Sequence, residues 1–66
     1  MRIVTNKGEF ASFKDVRTFM QQEGLELIEI TLVDYWGIKI ARAQGFYTLA
    51  QINFVLSDPD KEFMHG

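Results

Sequence analysis

Leu25-Glu26-Leu27-Ile28-Glu29-Ile30-Thr31-Leu32-Val33-Asp34-Tyr35-Trp36-Gly37-Ile38-Lys39-Ile40-Ala41-Arg42-Ala43 is the run from which the fold is read. Its first half settles into alternation, with Ile28, Ile30 and Leu32 on one face and Glu29 and Thr31 on the other. A period of two with one apolar side predicts a half-buried strand, here over 25–33. Asp34-Tyr35-Trp36-Gly37 then turns the chain, and Gly37 is available for the positive φ that a tight hairpin with a bulge requires. The return strand is expected over 38–44, with Ile38 and Ile40 as its inner residues.

Upstream of the hairpin, Ser12-Phe13-Lys14-Asp15 places a hydroxyl where it accepts from first-turn N–H groups, with an acid three residues on, as in a capping box. A helix over 12–23 follows. Phe13, Val16 and Met20 form its apolar stripe with Phe19 beside them, and Gly24 ends it in the left-handed conformation. Arg2 to Thr5 is short and partly β-branched before the turn residues Asn6-Lys7-Gly8, which predicts a first strand over 1–5.

Downstream, Gln44-Gly45 breaks the pattern, and Thr48 with Gln51 repeats the capping box at the head of a helix over 48–57. Its apolar residues are Leu49, Ile52, Val55 and Leu56, with Phe54 on the flank. Asp58-Pro59-Asp60 stops it, since proline disfavours helical geometry in the residue before it. Residues 61–65, with Phe63 and Met64, form a tail or a short last strand.

A shift of thirty-six positions lays Phe10-Ala-Ser-Phe-Lys-Asp-Val16 onto Phe46-Tyr-Thr-Leu-Ala-Gln-Ile52. Duplication or convergence on helix-start chemistry accounts for the match. Either way, an aromatic two residues before each hydroxyl cap is expected to pack beside the first helical turn.

These elements predict an α+β fold: a single small β-α-β-β-α(-β) domain over 1–66, with an antiparallel sheet and both helices on one face. The layout is a split β-α-β unit, half or whole of a ferredoxin-like arrangement. The right-handed crossover rule then puts strands one and two parallel with the return strand between them. If the tail does not pair, one sheet edge is bare and open to another chain.

Sixty-six residues is below the usual size of a catalytic domain, so stability is expected to be marginal. Apolar residues at 47% and aromatics at 14% are nonetheless enough for a true core. Without cysteine, disulfide frameworks and cysteine-ligated metals are excluded, and the fold rests on its core alone or on a partner subunit. The first residues lack the continuous apolar stretch of a signal peptide and no run approaches a membrane span, so a cytoplasmic, intracellular protein without membrane contact is expected.

A net charge of −2 lacks the basic footprint that binding a phosphate backbone requires. The acidic groupings Glu23, Glu26 and Glu29, and Asp58, Asp60 and Glu62, read as solvated faces. The second lacks the glycine pattern of a calcium loop. His65 is the one histidine, and Ser12 and Thr48 are explained as helix caps. No catalytic constellation emerges, and neither a cofactor nor a metal is called for. None of the five glycines lies in a phosphate-binding arrangement. The aromatics avoid the strand positions from which an RNA-binding sheet would stack bases, although Lys39 and Arg42 could face one way.

Following a helix, the run Leu25 to Val33 with Asp34-Tyr35-Trp36-Gly37 resembles the opening of the small amino-terminal β-grasp domain of glutamine synthetases. That family has the same helix, alternating strand and Asp-x-x-Gly turn. The likeness covers about a third of the chain, with Asp34 and Gly37 the matching turn residues. It implies a local hairpin and no catalytic residue.

What remains is the hairpin tip, where Tyr35 and Trp36 are residue types that dominate interface energetics. Trp36 either points outward or folds back over the core with its indole N–H on a carbonyl. The expectation is a small intracellular protein-binding module, a regulator or inhibitor without enzymatic activity that occupies the surface of a larger protein. Its predicted contact set is Tyr35 and Trp36 with Glu29, Thr31 and Lys39. Such compactness suits a phage or mobile element. A self-associating domain, dimeric through an edge strand, is the alternative, and weak nucleic-acid binding a second.

Overall fold

The computed structural model describes residues 1–57, the side chain of Arg42 apart. Asp58, Asp60, Glu62, His65 and the expected strand at 61–65 lie outside the described residues. The elements are strands β1 (Arg2–Thr5) and β2 (Gly8–Phe10), helix α1 (Phe13–Glu23), strands β3 (Leu27–Tyr35) and β4 (Ile38–Lys39), a 3-10 turn (Ala41–Ala43), strand β5 (Gly45–Thr48) and helix α2 (Leu49–Ser57). The fold is the expected α+β class, with five antiparallel strands and two helices among the described residues packed over one buried core.

Both helix starts follow from their caps. Ser12 Oγ accepts the N–H of Asp15 at 3.2 Å. At α2 the box is reciprocal, with the Gln51 N–H reaching Thr48 Oγ1 at 3.1 Å and the Thr48 N–H reaching Gln51 Oε1 at 2.8 Å. Helix α1 stops at Gly24, whose φ of 66° is left-handed, and the N–H of Leu25 closes on the Met20 carbonyl at 2.8 Å. Phe13, Val16 and Met20 are buried as the spacing requires, and Ile52 and Val55 of α2 join them.

The strand order corrects the expected layout. β2, a strand not foreseen in the sequence, forms a hairpin with β1 across Asn6-Lys7, and β1 pairs antiparallel with β3. The split β-α-β unit therefore runs β2-α1-β3 with β1 between its strands, so β1 is not beside the return strand. Thr5 makes that hairpin possible: its hydroxyl donates to the Gly8 carbonyl at 2.9 Å and accepts the Lys7 N–H at 3.0 Å. Three residues led by glycine carry too little β-propensity to be read as a strand without this neighbour.

β3 is the axis of the sheet, and it holds one surplus residue. Val4 lies opposite Leu32 but Thr5 lies opposite Ile30, leaving Thr31 as a bulge whose hydroxyl donates to the Val4 carbonyl at 3.2 Å. The bulge reverses the facing of everything after it. Ile28 and Ile30 are buried as expected, but Val33 takes the next core position and Leu32 is turned to the outer face.

The return strand is likewise broken, and the predicted continuous strand over 38–44 does not form. β4 pairs with Asp34 and Tyr35, β5 pairs with Leu27 to Ile30, and the five residues 40–44 span only three of β3. Two bonds hold the detour: the Ile40 N–H on the Val33 carbonyl at 2.9 Å, and the Gln44 amide on the Thr31 carbonyl at 2.9 Å. Ala43 is fully buried within it, a position only a small side chain fills without displacing the core. Ile40 packs against the core as an inner residue, whereas Ile38 is 67% exposed.

Candidate functional site

The hairpin tip is built from the end of β3, the two-residue loop Trp36-Gly37 and β4. Tyr35 pairs with Ile38, and both loop residues have positive φ, 54° at Trp36 and 83° at Gly37. Positive φ at both positions of a two-residue loop marks a type I′ turn, whose twist matches that of the flanking strands. The expected bulge is not in the turn; the return strand is instead broken further along by the 3-10 turn between β4 and β5. Gly37 meets the demand at no steric cost, but Trp36 does not, since a bulky residue in the left-handed region crowds its own Cβ against the backbone.

Trp36 is 80% exposed, so it does not fold back over the core. Its ring leans on Tyr35, with centroids 4.4 Å apart and planes at 45°. Beside the tip on the outer face, Asp34 stands between Arg2 and Lys39 in the strand register. Arg2 Nη2 lies 3.5 Å from Asp34 Oδ2, and Arg2 Nε lies 3.6 Å from Glu9 Oε1. Asp34 Oδ1 is buried without a hydrogen-bond partner among the described residues. Among the described residues Arg2 thus holds Asp34 from one side only.

The structure divides the predicted contact set. Tyr35, Trp36 and Lys39 share the tip, joined by exposed Ile38, which the sequence reading had assigned to the core. Glu29 lies seven residues before Trp36 along β3, roughly 20 Å away at strand spacing. Its backbone is tied to Asn6, and Thr31 is committed to the bulge. One contact centred on Trp36 does not reach them.

A second exposed group went unforeseen on the outer sheet face, where Phe46 is 63% and Leu27 50% exposed. In the thirty-six-residue match, Phe10 packs beside its helix against Phe19, with ring centroids 5.3 Å apart, but its counterpart Phe46 faces outward. β5 runs straight into α2 without the two-residue bend at Ala11-Ser12, so Tyr47, one residue nearer the cap, packs on the core instead. Burial raises the Tyr47 hydroxyl above its ordinary value of 10.0. The period-two pattern of 45–48 was the signal that could have exposed this strand. The equivalent positions Arg17 and Asn53 do meet, Nη1 to Oδ1 at 3.5 Å, where the two helices touch.

Among the described residues no three His, Cys, Asp or Glu side chains gather to hold a metal, and no helix is long and apolar enough to cross a membrane. A shallow hollow of about 470 Å³ at the head of α2 is lined by Glu26, Thr48, Leu49, Ala50 and Asn53. Glu26 is its one ionisable group, and Thr48 is spent on the cap.

Compared with family models, curated proteins and solved structures, the chain matches none. The likeness to glutamine synthetases therefore stays with the helix, strand and turn that carry it. The class defined by the fold is a small two-layer α+β domain whose outer sheet face no described element covers.

Proposed function

We propose that this chain is a small protein-binding module, a non-enzymatic regulator or inhibitor that occupies a surface of a larger protein with its hairpin tip. The observation carrying this reading is Trp36, 80% exposed and held at a φ of 54°. The turn itself favours Asn or Gly there, and the free chain recovers little burial from the indole. Strain and exposure at one aromatic are offset when a partner's pocket closes over it, as at interface hot spots. Tyr35 and Ile38 supply the apolar surround and Lys39 the polar rim. Glu29 and Thr31 drop out of the contact set. A cysteine-free chain suits the reducing interior of a cell.

The test compares the wild-type chain with a Tyr35→Ala/Trp36→Ala variant as immobilised bait, followed by titration of the recovered partner. The chain has a single tryptophan, so its emission reports the tip directly. Emission should shift to the blue on binding, and the double variant should lose at least about tenfold in affinity. Equal recovery of the same partners by both chains would overturn the assignment.

A further inference from the structure

We propose that the chain forms a weak symmetric dimer by pairing β5 with β5 of a second copy about a two-fold axis through Phe46. An unpaired edge is blunted by charge or by shortness, and among the described residues β5 is the segment of edge left without charge. β2 is three residues long and carries Glu9, and β4 is two residues long and carries Lys39. β5 and its flanks, Gln44 to Asn53, carry no charge, so antiparallel self-pairing sets no like charges opposite one another.

The hydrogen-bond pattern selects the register. The Glu29 N–H reaches Asn6 Oδ1 at 3.2 Å and the Glu29 carbonyl accepts the Asn6 N–H at 3.0 Å, so both groups point toward β1. Its partner on β5 is Phe46, whose N–H and carbonyl therefore point away from β3, to an edge that no described strand pairs. The flanking edge N–H groups are engaged, that of Thr48 by Gln51 Oε1 at 2.8 Å and that of Gln44 by the Ala41 carbonyl at 3.1 Å. One donor and one acceptor on the same residue are satisfied reciprocally by the same residue of a copy, an isologous contact that leaves no N–H stranded. The axis also brings the two Phe46 rings opposite each other on the outer face, a favourable cross-strand aromatic pair. On β3, Glu29 stands beside each Phe46 and Leu27 lies diagonal to it, opposite Thr48.

Two hydrogen bonds and one ring pair make a transient contact, with a dissociation constant on the order of 0.1 to 1 mM. Sedimentation equilibrium of the whole chain from about 10 µM to about 1 mM should show a monomer passing to a dimer. Phe46→Lys should remain monomeric over that range, and Trp36→Ala should dimerise as the wild type does. In the wild type, exchange of the Phe46 amide should slow as concentration rises while that of Tyr47 does not change, a readout independent of whether a variant folds. A wild type still monomeric at the top of the range would overturn the proposal. So would a dimer that survives Phe46→Lys or is lost in Trp36→Ala.

Discussion

Trp36 is where the interests of the monomer and of recognition part. A bulky residue in the left-handed region costs about 1 to 2 kcal/mol, whereas an exposed ring pair such as that with Tyr35 returns about 0.5 kcal/mol. Strain therefore wins, and Trp36→Asn should stabilise the fold by up to about 1 kcal/mol. A rise in the urea midpoint with unchanged slope would show it, and the same variant should bind a partner less well. A fall in the midpoint would mean that the indole supports the hairpin. Gly37 and the left-handed φ were legible in the sequence because glycine announces them. That the preceding tryptophan shares that conformation was not, because aromatic residues favour the opposite sign of φ.

At the scale of elements, the helices were read closely and the strands less so. A helix carries its own signals, and Ser12, Gly24, Thr48 and Gln51 set boundaries within one residue of those observed. The Thr48 cap should therefore be separable from the rest: Thr48→Ala should cost about 1 kcal/mol in denaturant unfolding, while Thr48→Ser should stay near the wild type. Strands depend on their neighbours. β2 exists because Thr5 locks the turn, and the broken return strand exists because the Val33 and Thr31 carbonyls are met by Ile40 and Gln44. Alternation continues through Leu32 in the sequence, and only the pairing with β1 shows where Thr31 interrupts it.

For the whole molecule, a core of this size leaves little reserve. A single core below seventy residues rarely supplies more than about 3 to 5 kcal/mol. Ile52 is fully buried between the layers. Ile52→Ala should cost about 2 to 5 kcal/mol, enough to leave much of the chain unfolded at room temperature, which circular dichroism and a thermal scan would register. Both helices cover the same face of the sheet, so among the described residues the outer face with Leu27 and Phe46 stays uncovered. The candidate surfaces thus lie at the two places the core cannot reach: a turn beyond its end, and a face behind it.

The sequence by itself determined the α+β class, both helices with their buried stripes, the position of the hairpin and the candidacy of Tyr35 and Trp36. Those features are encoded locally, in periods of 3.6 and 2 and in cap and turn chemistry. The tertiary structure alone decided the strand order, the reversal of facing at Thr31, the exposure of Trp36, Ile38 and Phe46, and the edge left unpaired among the described residues. Register and facing are settled by hydrogen bonds between distant segments, and one surplus residue in a strand turns every later side chain to the opposite face.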